Sequence, residues 1–170
     1  ESWSNNREVP DELLWKDAPR DRVGDYDYIL DLLDWERNTD PDFVPHRQLI
    51  PFETAESTAT ADPGWTERWI VYKSPTFSAK ELAVEPGATT VITDTDAYGA
   101  IVVQGRGTLG VHPAAAPTMI RFGQLTEDEF FVSEAAARRG VRVVNASATE
   151  PLVVLKHFGP GSASLELPGH

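Results

Sequence analysis

The chain has 170 residues, 41% hydrophobic and 25% charged, which is one domain's worth of an ordinary soluble globular protein with room for an appendage. It contains no cysteine, which excludes disulfides, thiolate zinc sites and cysteine nucleophiles and fits a cytoplasmic location. A formal net charge of −12 argues against binding to nucleic acid or anionic membranes, and no apolar run is long enough to span a bilayer.

The charge is uneven along the chain. Residues 1–65 hold 16 acids and 6 bases, a net −10, whereas residues 66–170 hold 11 acids and 9 bases, a net −2. Residues 1–65 are therefore read as an acidic N-terminal arm, 66–160 as the main body and 161–170 as a flexible tail. Within the arm, Tyr26, Ile29, Leu30 and Leu33 recur at helical spacing. They predict one amphipathic helix near 26–37, capped by Asp25 and stopped before Pro41. Trp3, Leu13, Leu14, Trp15 and Trp35 make the arm too apolar for a disordered acidic tail. It is expected to pack on a folded body, its own or a partner's.

After the arm, a short strand is expected near 48–52 and loop elsewhere up to 66. From Arg68 the pattern changes to short β-rich runs separated by turn residues. Strands are predicted at 69–72, 77–84, 89–93, 100–104, 108–112, 118–122, 129–132, 141–145 and 152–158. Turn signals lie at Ser74-Pro75, Pro86-Gly87, Gly105-Arg-Gly107, Pro113 to Pro117 and Asn145 to Pro151. One short helix interrupts the strands, with Ser133 as its N-cap and Gly140 closing it. This cadence predicts an all-β sandwich or barrel.

Particular motifs narrow the expectation. Glu85-Pro-Gly87 leads through a strand to Ile101-Val-Val-Gln-Gly-Arg-Gly107, which resembles the first half of the cupin signature. Glu127-Asp-Glu-Phe-Phe-Val132, residues 141–145 and Pro151-Leu-Val-Val-Leu155 resemble the second half. Phe77-Ser-Ala-Lys-Glu-Leu82, Tyr98 to Gly107 and Pro117 to Glu129 are similar to the C-terminal barrel of bicupin proteins described as phosphomannose-isomerase-like. The resemblance covers residues 77–158 and implies a cupin-type jelly-roll β-barrel around a central pocket. It also implies a piece of a two-barrel chain, in keeping with a sequence that begins at Glu1.

Metal-binding cupins ligate through His-x-His, a Glu and a later His. If Gly105 ends the first motif, Tyr98 stands in the Glu place, and Asp94 and Ile92 stand in the two His places. If Gly107 ends it, Asp94 and Asp96 take the His places and Ala100 the Glu place. Val141 replaces the last His. No register keeps the four ligands, so neither a metal nor another cofactor is expected.

Asp94 and Tyr98 are the candidate catalytic pair, suited to proton transfer. Asp94 and Asp96 equally suit a polar turn bonding its own backbone, and Tyr98 a wall aromatic. Lys80, Gln104 and Arg121 are candidate substrate-binding residues for an anionic or polar sugar. Against this stand a snorkelling Lys80 and an Arg121 paired with the acidic arm. His46, His112, His157 and His170 lie at no ligand spacing, and Gly105-Arg-Gly107 is read as a hairpin turn.

The leading functional expectation is a degenerate cupin barrel with a structural or assembly role in a sugar isomerase-like protein. The alternatives are a sugar or sugar-phosphate isomerase or epimerase working in the barrel pocket, and a small-ligand binding module. Expected partners are a second copy or a companion cupin barrel, and a small carbohydrate, with neither nucleic acid nor membrane.

Overall fold

The computed structural model describes residues 10–59, 64–72, 74–119 and 122–160. They fall into two compact units, one ending at Gln48 and one beginning at Leu49.

The first unit is a series of short helical turns: α1 (Asp11–Leu14), a 3-10 turn (Arg20–Arg22), α2 (Tyr26–Asp31), α3 (Trp35–Asn38) and α4 (Phe43–Arg47). The single helix expected near 26–37 is thus two. Asp25 caps α2 as anticipated, its carboxylate accepting from the Tyr28 N–H at 3.0 Å. Asp34 then repeats the device, accepting from the Arg37 N–H at 3.0 Å. A short acid that can cap competes with continuation of the helix it follows, which is why the chain breaks at 32–34. Trp15 and Tyr26 pack edge to face at 5.3 Å. Asp40 accepts from Arg47 at 2.6 Å and pairs with His46 at 2.8 Å.

The second unit is a curled, wholly antiparallel sheet. Its elements are β1 (Phe52–Glu53), α5 (Ala55–Ala59), β2 (Trp65–Val71), β3 (Ser78–Val84), β4 (Thr89–Ile92), β5 (Tyr98–Leu109), β6 (His112–Ala116), β7 (Glu129–Val132), α6 (Glu134–Arg139), β8 (Val141–Asn145) and β9 (Leu152–Phe158). The strands run in the order β1-β2-β3-β9-β5-β8-β4, with β6 and β7 also on β5. Because β1 pairs with β2, the division expected after residue 65 cuts through this unit; residues 49–59 belong with the strands. Among the described residues, no helix is long and apolar enough to cross a membrane.

The long strand β5 closes the curl. Its first half pairs with β9 and β7, and its last residues pair with β8 and β6. The sequence predicts two strands here with a hairpin at Gly105-Arg-Gly107, but the chain runs straight through. A Cβ on Gly105 would meet the Pro151 carbonyl, and one on Gly107 would meet the Val144 carbonyl. The glycines are there for close backbone approach within the sheet, not for a turn. The turn comes at Gly110, with φ +63°. The segment after it, read as a Pro-marked turn, is β6. Pro113 fits because β6, among the described residues, is an edge strand whose one ladder is with β5. A strand expected at 118–122 is not seen at Thr118 and Met119.

Alternation places the core. Leu82 and Val84 of β3, Ala100 and Val102 of β5, Val143 of β8, and Leu152 and Val154 of β9 form one buried apolar cluster with Tyr98 and Phe158. The same alternation carries charged residues inward on β3 and β9, and on β2 beside them.

Candidate functional site

On β3 the inward positions run Ser78, Lys80, Leu82, Val84, and on β9 they run Leu152, Val154, Lys156, Phe158. The antiparallel register sets Lys80 directly opposite Lys156. Two ammonium groups facing each other across a sheet repel and would destabilise the pair on their own. Two carboxylates answer them. Glu67 comes from β2, flanked on its own inward face by Trp65 and Trp69. Asp94 follows β4, and its backbone N–H donates to the Ala137 carbonyl of α6 at 3.2 Å, which fixes the loop.

The four side chains close a ring of ion pairs. Lys80 Nζ lies 2.8 Å from Asp94 Oδ1 and 3.1 Å from Glu67 Oε2. Lys156 Nζ lies 2.7 Å from Asp94 Oδ2 and 2.5 Å from Glu67 Oε1. Each ammonium thus touches both carboxylates, and the group sums to zero charge. All four residues are buried, with Lys156 only 1% exposed and Glu67 3%. Aromatic rings wall the site. Lys80 Nζ sits 4.8 Å from the Trp69 ring and 5.5 Å from that of Phe158. Lys156 Nζ is 5.1 Å from the Tyr98 ring, and Tyr98 packs on Phe158 at 5.3 Å. The negative faces of these rings favour the cations.

The electrostatics follow from this packing. Burial works against the Lys80 ammonium, but Glu67 and Asp94 beside it overcome that penalty and hold its pKa above the ordinary lysine value. Burial, reinforced by the charges of Asp94 and Glu67, raises the Tyr98 phenol well above its usual pKa. Tyr98 therefore stays protonated at any working pH and is poorly suited to be a base.

The structure brings Lys80, Asp94 and Tyr98 together, as expected of a shared interior. Asp94 lies in the ring of ion pairs, not in a self-bonded turn, and Lys80 does not snorkel. Gln104 does not join them. A bulge between Val102 and Gln104 inserts one residue into β5, so Gln104 keeps the outward phase of Ile101 and is exposed. Arg121 lies outside the described residues, as does His170. Glu67 and Lys156 complete the ring without having been singled out in the sequence. The signal was there: each charge stands at the inward phase of a run whose neighbours at i±2 are Trp, Val or Phe.

In the register that ends at Gly105, the places where the cupin resemblance expects metal ligands are interior, whereas Asp96 of the other register is only half-buried. Ile92, Asp94, Tyr98 and Val141 are all buried. Their chemistry does not fit a transition metal, because Asp94 is the one carboxylate among them and both its oxygens are taken by lysines. Among the described residues no group of three His, Asp or Glu gathers as a metal site. His46 and His112 are exposed, and His157 lies on the outer face of β9.

No protein-family model and no curated protein matches this sequence. Solved structures resemble its fold. The chain is similar to a cupin-2 domain, Rru_A2000, of Rhodospirillum rubrum, with 17% identity, a TM-score of 0.41, and coverage of 65% of this chain and 68% of that one. A cupin 2 domain-containing protein from Halorhodospira halophila gives 19% identity and a TM-score of 0.42, over 59% of this chain and 67% of that one. The complex of Rhodobacter sphaeroides SigE with the anti-sigma ChrR gives 12% identity and a TM-score of 0.43 over 58% of this chain. This chain spans 46% of the length of the chain matched in that complex. The chain's own strands make the second unit an all-β, curled antiparallel sheet with a few short helices.

Proposed function

We propose that this chain is a cupin-type barrel whose interior is a structural lock and whose role lies in assembly. The observation that carries the reading is the ring of Lys80, Lys156, Glu67 and Asp94. Where a catalytic barrel would hold an open site, these four charges pair with one another and cancel. A substrate anion would have to displace a carboxylate, and a metal would have to displace a lysine. The outer surface supports the assembly role. A groove of about 690 Å³ between β7, α6 and β8 is lined by Val111, Phe130, Phe131, Arg139 and Arg142. Val111 is 89% and Phe131 78% exposed beside it. Exposed apolar patches of this kind mark protein contacts. The expected partner is a second copy or a companion barrel of a sugar isomerase-like protein.

Two measurements test this reading together. Incubated with hexose phosphates in deuterated water, the purified chain should incorporate no deuterium at the carbon next to the sugar carbonyl. In light scattering it should run larger than one chain. Deuterium uptake by the wild type that is lost in Asp94→Asn would overturn the structural reading and favour an isomerase. So would a strictly monomeric chain that binds a sugar.

A further inference from the structure

The ring of charges has reactive geometry as well as structural fit. Amide formation between an ammonium and a carboxylate needs the two groups held together, a base to take the proton from nitrogen, a charge to steady the oxygen that becomes negative, and exclusion of water. All four conditions meet at Lys156 and Asp94. The Lys156 Nζ hydrogen-bonds Asp94 Oδ2 at 2.7 Å, so the carbonyl carbon lies no more than one C–O bond farther away. Glu67 Oε1 is 2.5 Å from the same nitrogen. Lys80 holds the other Asp94 oxygen at 2.8 Å. Lys156 and Glu67 are sealed from solvent, with Phe158 and Tyr98 packed around them.

We propose that Lys156 and Asp94 form an intramolecular isopeptide bond, with Glu67 as the proton acceptor and Lys80 as the cation that stabilises the intermediate. Lys156 first passes a proton to Glu67. The freed lone pair on Nζ attacks Asp94 Cγ, and the C=O electron pair moves onto Oδ1 beside the Lys80 ammonium. The C–Oδ2 bond then breaks. Oδ2 leaves as water, taking the proton held by Glu67 and a second one from the attacking nitrogen. One ammonium and one carboxylate enter; one amide and one water leave. No net proton is gained or lost, and no oxidant, reductant or co-reactant is needed.

The choice of lysine follows from the surroundings. Lys80 lies over the Trp69 ring, which favours its ammonium, and it stands farther from Glu67 than Lys156 does. It keeps its charge and remains paired with Glu67 after the reaction, so the product interior is still neutral. Condensation also removes one buried ion pair, whose desolvation is otherwise a standing cost. The groups are held in the folded barrel at effective concentrations that reach roughly 10⁵ M or more for well-oriented partners, which offsets the dilution that opposes amide formation in water. The bond would tie β9 to the loop after β4, which is hydrogen-bonded to α6.

Intact mass spectrometry of the denatured full chain decides the matter, because a covalent bond survives denaturation and an ion pair does not. The expected mass is that of the sequence less one water. Proteolysis should yield a branched peptide that joins the segment around Asp94 to the segment around Lys156. Glu67→Gln and Lys156→Met should each restore the full mass. A wild-type chain at full mass, or a missing water that maps elsewhere, overturns the proposal. A cross-link that survives Glu67→Gln overturns the role given to Glu67. The wild-type reading does not depend on whether the variants fold. A chain without the bond leaves the assembly reading intact, since that reading rests on the ion pairs and on stoichiometry.

Discussion

Lys80 shows how a charge becomes tolerable inside an apolar barrel. Its ammonium is buried, yet Glu67 and Asp94 raise its pKa above the ordinary value of 10.5. A group whose pKa is raised on folding contributes stability below its unfolded pKa and loses it as pH climbs through the folded one. The Tyr98 phenol, raised above 10.0, acts in the same sense. Both losses fall on the alkaline side, so the denaturant midpoint should hold up to about pH 10 and then fall steeply. Lys80→Met tests the assignment. At neutral pH it should cost about 3–5 kcal/mol, because one buried carboxylate is left without a cation in a dry site whether or not Lys156 and Asp94 have condensed. Above about pH 10 its stability should fall less steeply than that of the wild type. Parallel slopes would show that Lys80 carries no special coupling.

At the scale of elements, what could be read from the chain divides along physical lines. The helix from Ser133 to Gly140 was legible because its cap and stop are local chemistry: Ser133 accepts from the Ala136 N–H, and Gly140 has φ +94°. The strands β3, β4, β7, β8 and β9 were legible as runs of β-branched and aromatic residues between turn residues. The fate of Gly105 and Gly107 was not, because a glycine needed for a turn and one needed for close approach look alike until the neighbouring strand is known. The site divides the same way. Lys80 declared itself by sharing a strand face with Leu82 and Val84. Lys156 was masked by reading residues 152–158 as one β-rich run with no face assigned, and Glu67 by its place just before the predicted strand. Gln104 failed because a one-residue bulge reverses every later side chain and leaves no mark in composition. The glycine argument has its own test. Gly107→Ala drives a methyl into the Val144 carbonyl, while Gly110, though at positive φ, has open space where its Cβ would go. Overpacking should make Gly107→Ala cost about 1–3 kcal/mol or more. Gly110→Ala should cost about 1 kcal/mol, the backbone strain of a left-handed residue alone. Thermal melts of the two variants in parallel give the ranking, and equal losses would put Gly107 back in the class of turn glycines.

The whole molecule is divided in charge as well as in fold. The unit that ends at Gln48 holds 13 acids and 6 bases, a net −7 of the total −12. It nevertheless exposes large apolar side chains: Leu13 at 61%, Leu32 at 63% and Trp35 at 51%. Each such side chain contributes roughly 1.5–3 kcal/mol when buried. A segment this rich in them gains by finding a receiving surface, while its acids stay wet and keep the assembly dispersed. The unit that begins at Leu49 carries apolar surface of its own at Val111 and Phe131, with Arg139 and Arg142 lining the groove beside them. Those cations suit an acidic partner. Deletion of residues 1–48 is therefore expected to change the stoichiometry of the protein. In sedimentation velocity the full chain should run as a dimer or larger species that weakens at high salt, since part of the attraction is between charges. The truncated chain should run as a monomer at low concentration and aggregate at high concentration, with a lower melting temperature. If the truncated chain keeps the full chain's stoichiometry, solubility and melting temperature, the acidic segment is a tether and the assembly surface lies wholly on the barrel.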